Sequence, residues 1–159
     1  MKKLLYYPTI VLCLVIVSCS ETNDSEIQAT NASIKVEQFE MLSGNWELVD
    51  ITTGEGTIVL PPTQVNVIFS ESENESNNVF LLDGQSTCNQ YGGELTALDD
   101  KTIEFEQLYS TEMLCEDAIL NDFEIQYYSW LFDAKEYHLE GNTLYLEGGV
   151  TLKFTKLSN

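Results

Sequence analysis

The segment Gln85 to Cys115 constrains this chain more than any other. Its ends carry Cys88 and Cys115, the two cysteines that lie beyond the N-terminal apolar run and its boundary. Between them sit two strand-like stretches, 94–98 and 101–107, joined by the turn pair Asp99-Asp100. Ile103 and Phe105 share one face of the second stretch. A hairpin with a cysteine at each end invites a disulfide if the protein is exported. The rival readings are a redox pair, which favours close spacing such as Cys-x-x-Cys, and a metal site. A structural bridge is the expectation, closing a loop of about 28 residues and stabilising by about 3.5 kcal/mol in the chain-entropy picture.

Export is expected from residues 1–18. Lys2 and Lys3 precede an apolar stretch of about 15 residues, too short and too N-terminal for a transmembrane span and shaped like a secretory signal. The stretch ends at Ile16-Val17-Ser18-Cys19, which resembles the bacterial lipobox. That resemblance implies cleavage before Cys19 and acylation of Cys19, so that several acyl chains anchor the protein. Ser20, in place of Asp, favours the outer over the inner membrane by analogy with enteric bacteria. The expected location is therefore the bacterial cell envelope, on the periplasmic or surface side. Residues 19–41 are polar, acidic and aperiodic, and read as a flexible tether reaching on the order of 25 Å.

Charge narrows the partners. Without Lys2 and Lys3 the remainder carries five lysines and no arginine against 26 acidic residues, a net of −21. Such a surface repels phosphate backbones and anionic headgroups, which excludes nucleic acid as a partner and membrane binding by charge. The membrane contact expected is the lipid on Cys19.

Residues 42–159 read as one domain, mostly β in an α+β mixture. Trp46–Thr52 shows apolar residues on both faces; Thr57–Leu60 is stopped by Pro61-Pro62; Val65, Val67 and Phe69 share a face. Residues 70–78 read as an acidic surface loop. Glu71, Glu73 and Glu75 lack the glycine and ligand order of a calcium loop, so no metal is assigned there. Val79–Leu82 runs into Asp83-Gly84, read as a turn. Gly92-Gly93 marks a bulge. After Cys115, Leu120, Phe123, Tyr127 and Trp130-Leu131 recur at helical spacing, with Asp117 as the cap. Glu136–Glu140, Thr143–Glu147 and Val150–Lys156 finish the chain as hairpins. About nine strands and one packed helix predict an antiparallel curved sheet or small barrel.

At these residues the chain resembles the META domain family, which includes the HslJ heat-shock lipoproteins. The shared pattern is Cys88-Asn89, Tyr91, Gly93, Ile103, Phe105, Thr111-x-Met113-x-Cys115, Glu124 and Leu131, with Trp46-x-Leu48, Leu144-x-Leu146 and Leu152-x-Phe154 at the two ends. Thr87 stands where the family usually has Gly, which a turn of positive φ would have to accommodate. The resemblance implies a small barrel-like envelope domain without an established activity.

The residues carry no catalytic set. His138 is the single histidine, on a strand and facing away from its neighbours; no Gly-x-Ser-x-Gly, His-Glu-x-x-His or phosphate loop is present. No catalytic residue, cofactor or metal is therefore expected. The expected function is a non-enzymatic envelope lipoprotein that contacts envelope proteins or glycans in surface integrity or stress tolerance. The alternative is a carrier of a small apolar ligand, because Gly44-x-Trp46 resembles a lipocalin opening, although three strands follow the helix here.

Overall fold

A computed structural model describes residues 34–73 and 78–158. The leader, Cys19 and Glu75 lie outside the described residues. The described chain forms α1 (Val36–Leu42), β1 (Gly44–Thr53), β2 (Ile58–Val59), β3 (Asn66–Glu73), β4 (Asn78–Gln85), β5 (Gln90–Leu98), β6 (Ile103–Ser110), α2 (Ala118–Asp133), β7 (Glu136–Glu140), β8 (Thr143–Glu147) and β9 (Val150–Lys156). The strands make one antiparallel sheet in the order β6-β5-β4-β3-β1-β9-β8-β7, with β2 paired to β1. The sheet curls until its ends meet. Thr102 bridges Glu136, and the Tyr137 N–H donates to the Lys101 carbonyl at 2.7 Å.

Alternation along each strand puts one row of side chains inside. Val67 and Phe69, Leu144 and Leu146, and Leu152 and Phe154 are all buried. The sequence of β1 does not alternate strictly because the strand carries a bulge. Leu48 pairs with Phe154 and Asp50 with Lys153, so Val49 is the extra residue and Ile51 turns back inside. Trp46, Tyr127, Phe69 and Phe154 are the largest fully buried side chains.

Three expectations need correction. A second helix, α1, occupies residues read as the end of the tether. It forms because Phe39 and Leu42 fall on one face and are buried, Phe39 against Phe80 at 4.5 Å between ring centroids. The Trp46 indole donates to the Leu42 carbonyl at 2.7 Å, satisfying a group that the helix end leaves free. Asp83-Gly84 is not a turn: Asp83 pairs with Ile68 and Gly92, Gly84 with Val67 and Tyr91. The glycine serves close approach, because a Cβ there would run into the Asn66 carbonyl and lie 2.5 Å from the Tyr91 ring. Finally, the stretch read as a loop from 70 is largely hairpin, since β3 and β4 stay paired from Ser70↔Leu81 to Glu73↔Asn78.

Candidate functional site

Three segments meet at one end of the sheet: the β4–β5 turn (86–89), the β6–α2 connection (111–117) and the second turn of α2. The helix starts where expected, with the Asp117 carboxylate accepting the Ile119 N–H at 2.8 Å. Its buried stripe is Phe123, Tyr127 and Leu131, and Glu124 is buried beside it at 5% exposure.

Glu124 organises the turn. Its Oε2 accepts the Cys88 N–H at 3.0 Å and the Asn89 N–H at 2.9 Å, and its Oε1 accepts Asn89 Nδ2 at 2.6 Å. Asn89 in turn reads the second segment. Its Nδ2 also donates to the Met113 carbonyl (2.8 Å), and its Oδ1 accepts Thr111 Oγ1 and the Met113 N–H, each at 2.7 Å. The Cys88–Cys115 disulfide joins the same two segments covalently, with Cα atoms 5.8 Å apart. Burial pushes the Glu124 carboxyl up, but the side-chain bond from Asn89 and the N–H groups of Asn89 and Cys88 outweigh it. The net shift is downward from the ordinary range.

The residues singled out from the sequence therefore come together. Cys88, Asn89, Thr111, Met113 and Cys115 form one latch, with Met113 contributing its backbone while its side chain is exposed. Tyr91 sits one step inside, donating to the Asn66 carbonyl at 2.8 Å and standing 2.7 Å from the Tyr127 hydroxyl. Burial, then the neighbouring Tyr127, pushes the Tyr91 phenol well up. Gly93 lies opposite the β5–β6 register shift between Gly92 and Glu94, but the extra residue is on β6, between Glu106 and Tyr109, so the bulge is not in the glycine pair. Thr87 departs from the family without loss: its Oγ1 donates to the Leu120 carbonyl at 2.9 Å. His138 stacks on Tyr145 at 4.4 Å on the exposed side of β7 and takes no part in the latch.

Glu124 stands in the family pattern, but the sequence assigns it no role at the site. Its signal is position: it adjoins Phe123 in the apolar stripe, where an unpaired carboxylate would be costly. Tyr128 Oη and Ser86 Oγ are buried beside the latch and make no hydrogen bond, although Ser86, Ser110 and Glu124 stand near the phenol. Burial first, then the Glu124 charge, pushes the Tyr128 phenol up to about 12. Among the described residues, no group of three or more His, Cys, Asp or Glu is placed to hold a metal ion.

A META domain family model matches residues 39–159, which takes in the sheet, both turns of the latch and α2. The chain belongs to the META domain family. The start of the match at residue 39 falls inside α1, so this META domain reaches into the stretch read as tether. Its fold is similar to the NMR structure of a protein from Burkholderia xenovorans, with a TM-score of 0.57 at 20% identity, covering 80% of this chain and 91% of that one. It is also similar to a second protein solved by NMR, with a TM-score of 0.52 at 22% identity, covering 77% of this chain and 95% of that one. At these identities the likeness is one of fold. No curated protein matches the chain.

Proposed function

We propose that this META domain is a non-enzymatic, partner-contacting module, carried on a lipid anchor at Cys19 in the bacterial envelope and serving surface integrity or stress tolerance. The observation that carries the reading is where the latch puts apolar side chains. Met113 is 62% and Leu114 89% exposed, on the very segment that Asn89 and the disulfide hold in place. Ile119, in the first turn of α2, is exposed as well. Exposed apolar groups on a rigid segment are a contact surface that need not be ordered on binding. The polar cluster beneath supports a structural role: the Glu124 oxygens are engaged by the Cys88 and Asn89 donors, so the carboxylate is not free to act as a base. The partner favoured is a protein, because the exposed groups are aliphatic.

The test is photo-cross-linking of the full chain in intact cells that make it, with benzoylphenylalanine at Leu114, Leu60 or Phe132. Discrete adducts to a protein are the expected result. A chain that captures no protein from any of the three positions refutes the reading. Radiolabelled palmitate should enter the wild type and not Cys19→Ala; label retained by that variant would refute the anchor.

A further inference from the structure

The seam of the sheet is closed over only part of its length. Near Thr102 the backbone bonds cross it, the last being the Ile103 N–H to the Lys135 carbonyl at 3.0 Å. From Glu104 to Ser110, β6 pairs on one side only, with β5, among the described residues. Its other side is an open edge with backbone donors and acceptors available to an added strand. Beside that edge, β6 and α2 enclose a groove of about 410 Å³. Leu108, Tyr109, Tyr128 and Phe132 supply its apolar walls, Ser110 and Ser129 its polar ones.

Charge identifies what such an edge would take. Glu104 and Glu106 are exposed on the outer face of β6, and Glu94 of β5 sits directly opposite Glu106. Like charges facing each other across a strand pair cost stability. β5, β6 and α2 carry no lysine or arginine among them, so nothing on these elements neutralises the pair. Acidic residues on an open edge also guard against self-association. Here the two effects select in the same direction. A second copy of this chain, at net −19, is repelled, whereas a cationic strand is drawn in.

We propose that the free edge of β6, residues 104–110, with the groove beside it, receives an extended lysine- or arginine-bearing segment of a partner protein by strand addition. The inference rests on the partner-contacting reading and adds to it a site beyond the Met113-Leu114 segment. In an added strand, alternate side chains point to opposite faces. One set enters the groove towards Leu108 and Phe132. The other lies on the outer face beside Glu104 and Glu106, where cationic residues relieve the repulsion.

The test uses the purified full chain and a fluorescein-labelled ten-residue peptide of alternating Val and Lys. Two controls accompany it: a Val/Glu peptide, and the Val/Lys peptide N-methylated throughout, which keeps the charge but has no strand N–H donors. The Val/Lys peptide is expected to bind at least about tenfold more tightly than either control. It should also slow amide exchange at residues 104–110. Glu104→Lys/Glu106→Lys, which alters exposed carboxylates only, should weaken binding at least about tenfold, and Phe132→Ser should weaken it too. Equal binding of the N-methylated peptide, or unchanged exchange at 104–110, overturns the proposal. In cells, adducts from benzoylphenylalanine at Phe132 support this edge. A partner captured from Leu114 or Leu60 but not from Phe132 leaves the partner-contacting function standing and overturns the edge. Capture from no position overturns the function itself.

Discussion

Replacing Glu124 with Ala tests whether one buried carboxylate holds the β4–β5 turn to α2. The substitution strips the acceptor from the Cys88 N–H, the Asn89 N–H and one proton of Asn89 Nδ2. A buried donor left without a partner costs about 1–3 kcal/mol. The three are close and share one acceptor group, so their losses do not simply add. A net destabilisation of about 3–5 kcal/mol is expected, a large part of the 5–15 kcal/mol typical of a domain. For a domain of this size that corresponds to a fall in Tm of about 10–20 °C. Glu124→Gln keeps the shape but turns an amide NH2 towards a donor. Asn89 cannot flip in response, because its Oδ1 already accepts from Thr111 and Met113. A smaller loss of about 1–3 kcal/mol follows. Urea unfolding followed by tryptophan fluorescence, with the disulfide intact, gives both values. The pH profile supplies an independent sign. The folded pKa of Glu124 lies below its unfolded value, so the unfolded chain binds the extra proton between the two. The stability from Glu124 is therefore present above about pH 4.3 and lost as pH falls through the lower folded pKa. Glu124→Gln should flatten that acid limb. A Glu124→Ala loss below about 1 kcal/mol, or an unchanged acid limb in Glu124→Gln, would refute the role given to the carboxylate.

Three further substitutions probe the surroundings. Reducing the Cys88–Cys115 bridge, or replacing both cysteines with Ser, should cost about 3.5 kcal/mol while leaving the far-ultraviolet circular dichroism of the folded state intact, because Asn89 still joins the two segments; loss of the fold at room temperature would contradict this. Gly84→Ala should cost at least about 1–3 kcal/mol by chemical denaturation, since its Cβ would meet a backbone carbonyl and a tyrosine already bonded to that carbonyl. Thr87→Gly, which restores the residue usual in the family, should destabilise by about 1–2 kcal/mol, because it removes the bond to Leu120 and adds backbone freedom; a stabilised variant would mean that Thr87 strains the turn.

The parts of this fold that were legible were those whose signal is a period or a turn residue. β7 to β9 occupy the residues their alternation and glycine pairs indicate, and α2 begins at its Asp cap. The misreadings share a cause: the deciding contact is distant in sequence. Gly84 looks like half of a turn, yet it is glycine because the Tyr91 ring lies over it. Residues 71–73 lack an apolar face, so their pairing with β4 leaves no periodic trace. α1 has seven residues and two buried side chains, too few to show a period, and its docking depends on Phe80 and Trp46. Within the latch, the cysteines, Asn89 and Thr111 carry recognisable motif spacing. Glu124 falls in the same family pattern, but its role does not show there, because an acid on a helix ordinarily faces water, and only the turn packed against it makes burial favourable.

The way α2 is held bears on how the proposed groove would bind. Near its start the helix is tied by the Asp117 cap, the disulfide and the Glu124 bonds. At its end, Asp133 Oδ2 accepts the Gly149 N–H at 2.7 Å, and a Cβ at Gly148 would lie 2.5 Å from the Asp133 carbonyl. The β8–β9 turn thus closes on the helix end through a glycine. Between these two fixings lie Tyr128 and Phe132, the helical wall of the groove. A wall fixed at both ends does not have to be ordered when a strand enters, so little of the binding free energy is lost to conformational entropy. Strand addition should then slow amide exchange along the open edge of β6 and leave α2 almost unchanged. Broad protection across α2 on peptide binding would mean that the helix is loose in the free protein, and that the latch does not extend its hold as far as Phe132.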